Sequence, residues 1–252
     1  MGARDWFVPL ADGPGPRLFA FPHAGAGSAR LSGFAKAVAP DLSVWAANLP
    51  GRQARLEESP PTDLDALVDQ LADRLLDLAH GPYALFGYCG GALLALLVAR
   101  ALRDRGAPDP AALVVVSFEA PDISWRPTGI ANLPSHRLWA RLVEDGGVAP
   151  DLVLDERLRL VAEPSVRADF ALLADYRHIG APPLDCPVTV CFGTEDVSPR
   201  GAWLGWRRQT TRPLRLQSVP GGHWLLEEST AELAAAVVAA SIDNGRSLSN
   251  TC

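Results

Sequence analysis

The sequence predicts an α/β protein: a mostly parallel central sheet with helices on both faces and a helical insertion over the carboxyl edge of the sheet. Three observations carry this. Short apolar runs alternate with helical patterns along the chain. Several runs are near-continuous, as in Ala111-Ala-Leu-Val-Val-Val116, which suits strands covered on both faces. One stretch, residues 122–182, breaks the alternation with charge and helical periodicity and shows no strand-like run.

Taken in order, Arg17-Leu-Phe-Ala-Phe21 reads as a buried strand stopped by Pro22. His23-Ala-Gly-Ala-Gly-Ser28 is a glycine-punctuated loop before a helix over 30–38. Leu42–Asn48 is a second strand, closed by Pro50-Gly51. Thr62 with Asp65 forms a capping-box-like start, and Leu64, Leu67, Leu71, Leu75 and Leu78 make the stripe of an amphipathic helix. Tyr83–Phe86 is a third strand, followed at once by Gly87-Tyr-Cys-Gly-Gly91 and a helix over 92–102. That helix is apolar all round and belongs in the domain centre. Further strands are expected at 111–116, 187–192 and 213–218, and a closing helix at 227–241. The polar residues from Asp243 to Cys252 are expected to fray.

The chain has 252 residues, 48% hydrophobic and 21% charged, a composition that argues against long disorder. It fits one domain, 1–252, with 122–182 as an insertion. A net charge of −6 speaks against nucleic-acid binding. The longest apolar runs, Ala92–Ala99 and Leu233–Ala240, are too short to span a bilayer. Met1–Trp6 lacks the apolar core of a signal peptide, and Trp6 stands where a myristoylation motif needs Ser or Thr. A cytoplasmic protein with no membrane partner is expected. Cys89, Cys186, Cys191 and Cys252 do not make a disulfide framework, and five scattered histidines show no metal spacing. No metal and no cofactor are expected.

Gly87-Tyr88-Cys89-Gly90-Gly91 has the form G-x-nucleophile-x-G between a strand and a helix. The nucleophile of such a turn sits on strained backbone, and side chains at the flanking glycines would collide with the sheet or helix. The turn also places it at a helix N-terminus, where the N–H of Gly90 can donate to an oxyanion. The competing reading is a glycine-rich turn holding a buried structural cysteine. Asp196 follows a strand and can orient an imidazole; it can equally cap the next helix, and Glu195 is its nearest competitor. His223, in Pro220-Gly-Gly-His-Trp224, can reach the nucleophile or be an ordinary loop histidine. Cys, Asp, His, each after a strand, is the chain order of an α/β-hydrolase. The loop Phe21–Gly27 suits the second half of an oxyanion hole through the N–H of Ala24, with His23 structural.

Nearly end to end, the chain resembles the type II thioesterases of polyketide and nonribosomal-peptide assembly lines. The resemblance rests on the motifs above and on Leu49-Pro50-Gly51-Arg52 with Arg55 and Glu57 or Glu58. It also rests on Ala84–Gly87, Glu163-Pro-Ser-Val-Arg-Ala-Asp-Phe170, Tyr176 and Cys186-Pro-Val-Thr189. It implies Cys89, Asp196 and His223 as the triad, Ala24 and Gly90 as oxyanion donors, and residues 122–182 as a lid. The implied partner is an acyl or peptidyl carrier protein bearing a phosphopantetheine-bound substrate, met by a monomeric enzyme. Three residues depart from the family pattern: Cys89 replaces serine, Tyr88 the usual histidine and Gly90 a common methionine.

A cysteine in this elbow also occurs in dienelactone hydrolases, polyhydroxyalkanoate synthases and certain aminoacyl shuttles. Thiolate attack exchanges one thioester for another, near thermoneutrally, whereas serine forms a more stable oxygen ester. Hydrolytic release of acyl or aminoacyl groups is the leading expectation. Transfer from Cys89 to another carrier, an amine or a hydroxyl is the alternative, and a non-catalytic carrier-binding module the third. Arg137, Arg141, Arg157, Arg159 and Arg167 form the candidate basic patch for an acidic carrier.

Overall fold

The computed structural model describes residues 5–248 apart from 124–127, 145, 148–151, 153 and 199. Its strands are β1 (Phe7–Ala11), β2 (Arg17–Phe21), β3 (Ser43–Ala47), β4 (Tyr83–Tyr88), β5 (Ala112–Val116), β6 (Val188–Gly193) and β7 (Leu214–Val219). They form one sheet in the order β1-β3-β2-β4-β5-β6-β7. All neighbours run parallel except β1, which lies antiparallel to β3. The six parallel strands are the six expected. β1 is an addition. Its Pro9 cannot donate to a ladder, and the edge position with an irregular register between Pro9 and Ala11 accommodates it.

Successive residues of the central strands point to opposite faces. Leu18, Ala20, Ala84, Phe86 and Val114 join the core layer of α1 (Ser32–Val38) and the C-terminal helix. Phe19, Phe21, Leu85, Leu113 and Val115 join that of α2 (Leu64–Leu76) and α3 (Gly90–Asp104). In α3, Ala92, Ala95, Leu96 and Ala99 are wholly buried, as a helix apolar on all sides requires. α2 is capped by Asp63, whose carboxylate accepts from the Ala66 N–H at 3.0 Å, rather than by the expected Thr62.

Between β5 and β6 stand α4 (Ser135–Glu144) and α5 (Glu156–Asp175), with no strand among the described residues of the insertion. They share a small apolar cluster of Ile130, Leu138, Trp139, Leu142 and Val166. Glu163 joins the two helices, accepting from Ser135 Oγ at 2.7 Å, Trp139 Nε1 at 2.9 Å and Arg167 Nη2 at 2.7 Å. Burial pushes the Glu163 carboxyl up, and these bonds more than reverse it, leaving its pKa lowered.

Two arginines of the expected patch are therefore internal struts. Arg167 also donates to the carbonyls of Ala131 and Leu133, both at 2.7 Å. Arg159 donates to Leu152 O at 2.6 Å and lies over the Trp139 ring. Both side chains thus make contacts within the insertion. Trp125, also expected in this segment, lies outside the described residues.

Single turns α6 (Arg200–Leu204) and α7 (Leu225–Glu228) follow β6 and β7, and α8 (Thr230–Leu248) closes the chain. α8 continues past residue 241, where the sequence predicts its end, and Cys252 lies outside the described residues. The parallel strands direct the loops after β2, β4, β5, β6 and β7 to one edge of the sheet, where open α/β sheets bind ligands.

Candidate active site

Cys89 stands between β4 and α3 at φ 50° and ψ −126°, backbone that side-chain-bearing residues rarely adopt. Its own N–H is held by Val116 O at 2.8 Å. The flanking glycines are steric requirements. A Cβ at Gly87 would stand 2.3 Å from Ala92 Cα, and one at Gly91 2.3 Å from Phe21 O. β4, the elbow and the end of β2 are thus packed backbone against backbone.

The loops after β6 and β7 meet beside the elbow. A Cβ at Gly193 would lie 2.0 Å from Gly222 O, and Glu195 N–H donates to Gly221 O at 2.9 Å. This contact sets Asp196 against His223, with His223 Nδ1 3.6 Å from Asp196 Oδ2. That is ion-pair distance, just beyond a good hydrogen bond. Asp196 Oδ1 accepts from Ser198 N–H at 3.0 Å. Burial would raise the Asp196 carboxyl, but His223 and Ser198 hold its pKa below the ordinary value. Burial would lower His223, yet the charge on Cys89 and the nearby Asp196 carboxylate raise it to about 10. The imidazole therefore sits beside both Asp196 and Cys89 on the wall of one cavity.

Cys89, His223 and Asp196 open onto a cavity of about 440 Å³, with Ala24, Leu93 and Phe170 among its walls. Gly90 adjoins Ala24: a Cβ on Gly90 would lie 3.7 Å from Ala24 Cβ and 3.1 Å from Leu173 Cδ1. A family model for the thioesterase domain matches residues 16–240.

The chain belongs to the thioesterase family.

Among its relatives, gramicidin S biosynthesis protein GrsT of Aneurinibacillus migulanus is 31% identical, covering 86% of this chain and 85% of that protein. Thioesterase PikA5 of Streptomyces venezuelae is 28% identical, covering 86% and 78%. Among solved structures, the type II thioesterase BorB from the borrelidin biosynthetic cluster superposes with a TM-score of 0.85 at 31% identity, covering 97% of this chain and 99% of that one. RedJ, the thioesterase from the prodiginine pathway of Streptomyces coelicolor, gives 0.81 at 32% identity, covering 92% and 94%. The fold is that of the α/β-hydrolases.

In this thioesterase the structure brings all five expected site residues to one place and sets one of the two carboxylates beside the imidazole. Asp196 faces His223, whereas the Glu195 side chain is exposed. His23 is buried, with its ring edge-on to Tyr88 and Trp224 at 5.6 and 5.0 Å, as a structural residue would be. Of Glu57 and Glu58, Glu58 pairs with Arg55, at 2.6 and 2.9 Å.

Sequence reasoning missed the residues that hold His223. Tyr88 Oη donates to the His223 carbonyl at 2.7 Å, and Ser117 Oγ to the same oxygen at 3.1 Å. Tyr88 was legible only as a departure from the family histidine. The only hint of Ser117 was its place at the end of a strand. Among the described residues no group of His, Cys, Asp and Glu could hold a metal, and no helix is long and apolar enough to cross a membrane.

Proposed function

We propose that this chain releases acyl or aminoacyl groups from carrier-protein phosphopantetheine thioesters, with Cys89 as nucleophile. The observation that carries the reading is the strained elbow of Cys89, set against His223 and Asp196 at the mouth of the cavity. His223 Nδ1 faces Asp196, which leaves Nε2 for Cys89. Sγ attacks the carbonyl carbon, and the oxyanion is received by the N–H groups of Ala24 and Gly90. The pantetheine C–S bond breaks, and His223 passes the thiol proton to the departing sulfur. Water then attacks the acyl-enzyme, His223 takes its proton and returns one to Sγ, and the acid leaves. Asp196 keeps the imidazole oriented throughout. No step calls for a metal or cofactor.

GrsT is described as a biosynthesis protein, and BorB and RedJ as thioesterases of biosynthetic clusters or pathways. These descriptions support an assembly-line substrate, and the proposed enzyme acts as a cytoplasmic monomer on an acyl or peptidyl carrier protein. Residues 122–182 serve as a lid within one domain, since Phe170, Leu173 and Tyr176 of α5 and its C-terminal flank wall the cavity. One observation favours transfer as a second reading: the elbow carries a cysteine, which as nucleophile would hold the acyl group as a thioester, still activated toward another thiol or an amine.

Loaded carrier incubated with the enzyme, with and without an acceptor amine or carrier, separates the readings. Free acid at an unchanged rate supports hydrolysis. Acceptor-dependent product supports transfer. Unchanged thioester loss in Cys89→Ala removes Cys89 from the mechanism.

A further inference from the structure

We propose that Asp169, neutralised by Arg52, is a positioning residue that sets the Ala24 amide for the oxyanion, so that α5 is part of the catalytic frame. The inference rests on Cys89 being the nucleophile.

The loop after β2 makes a tight turn. Ala26 N–H donates to His23 O at 3.0 Å, and Gly25, at the third position, has φ +78°. A positive φ there marks a type II turn. Type I and type II turns differ by a flip of the central peptide, here Ala24–Gly25. Asp169 Oδ2 accepts from the Gly25 N–H of that peptide at 2.7 Å. The carboxylate therefore fixes the Ala24–Gly25 peptide, and by pinning the turn to α5 it holds in place the Ala24 residue whose own N–H lies one peptide earlier.

A carboxylate beside an oxyanion hole would oppose the charge that develops there. Arg52 removes that conflict. Its Nη1 and Nη2 reach Asp169 Oδ2 and Oδ1 at 2.6 and 2.9 Å, with side chains only 5% and 12% exposed. Such a planar, two-point pair is neutral as a unit and geometrically demanding. Arg52 Nη1 also donates to Ala26 O at 3.3 Å, closing a ring around the turn. α5 is fixed at two further points. Ser165 Oγ donates to Gly51 O at 2.6 Å, and a Cβ on Gly25 would meet Val166 Cγ2 at 2.4 Å. Both motifs, Leu49–Arg52 and Glu163–Phe170, thereby converge on one turn.

An ion pair that merely stabilises the fold would look the same in the structure, so the test separates the two roles. Alkylation of Cys89 by iodoacetamide, followed by peptide mapping, needs the thiol and His223 but no oxyanion hole. Thioester turnover needs both. Arg52→Leu with Asp169→Leu removes the pair without stranding a buried charge. Turnover should fall in kcat by about 10–100-fold with KM little changed, since a misaimed donor is lost in the transition state. Alkylation should stay within about twofold of native. Arg52→Gln with Asp169→Asn keeps a neutral acceptor for the Gly25 N–H and should recover most of the kcat, and it serves if the leucine pair fails to fold. Native turnover in the leucine pair, equal losses of alkylation and turnover, or no recovery in the amide pair would each overturn the proposal. If native enzyme alkylated at Cys89 still turned over thioester, the nucleophile assignment would fail instead.

Discussion

Tyr88 and Ser117 place two donors on one oxygen, the carbonyl of His223, at 2.7 and 3.1 Å. Tyr88 is wholly buried, and burial pushes its phenol well above the ordinary value, so it stays a donor across the working pH range. Tyr88→Phe keeps the ring and removes the donor, and Ser117 still serves the carbonyl. The cost is one net hydrogen bond, about 0.5–1.5 kcal/mol, and Ser117→Ala should cost a similar amount. In the double variant the carbonyl loses both donors, and an acceptor stranded in that way costs about 1–3 kcal/mol. The double variant should therefore lose more stability than the two singles added, by about 1 kcal/mol. For a chain of this size each kcal/mol is about 2–4 °C of Tm. Turnover should follow, with kcat little affected in either single and reduced roughly 10-fold or more in the double as His223 slackens. Urea unfolding of the four proteins, with kcat and KM for each, measures both. Strictly additive stabilities, or a full loss of kcat already in Tyr88→Phe, would refute the two-donor hold.

Other outcomes follow from the elbow and the pair. Gly91→Ala drives a Cβ into Phe21 O and should cost about 1–3 kcal/mol or more, read by chemical denaturation; native stability would refute the packing argument. Cys89→Gly relieves the positive φ that Cys89→Ala retains, so the glycine variant should be the more stable of two inactive proteins by about 1 kcal/mol. His223, raised to about 10 from an ordinary 6.5, contributes stability that is fully present below 6.5 and lost as pH rises through about 10. Cys89→Ala removes the negative partner. The His223 ring resonance should then titrate well below its native midpoint, and the fall in stability across that window should shrink; an unmoved midpoint would contradict the assigned cause. Cys89→Ser should keep hydrolysis if the site is built for water, whereas suppressed acceptor transfer with slow release would favour the second reading.

The central parallel strands β4 and β5 were legible because both of their faces are buried, which leaves uninterrupted runs such as Leu113–Val116, whereas the edge strand β7 is largely exposed. β1 was not legible, because Pro9 masks a strand that only an edge permits. Within the site, Cys89, Asp196 and His223 could be read from glycine spacing and chain order, since each follows a strand of one parallel sheet. The supports could not be read so directly. Arg52 and Asp169 lie 117 residues apart, and Tyr88 reaches the carbonyl of a residue 135 positions away. No local pattern encodes such pairings; they arise once the sheet order is set. Arg167 shows the reverse error, since a cation that looks free in sequence is enclosed by Glu163 and two carbonyls.

Intact-mass measurement of the protein incubated with acyl-loaded carrier, followed by peptide mapping, tests the nucleophile assignment most directly. The account predicts a transient adduct of the mass of the acyl group on the peptide containing Cys89, absent in Cys89→Ala, with free acid accumulating as the adduct decays. An adduct on another residue, or thioester loss at the native rate in Cys89→Ala, would contradict it.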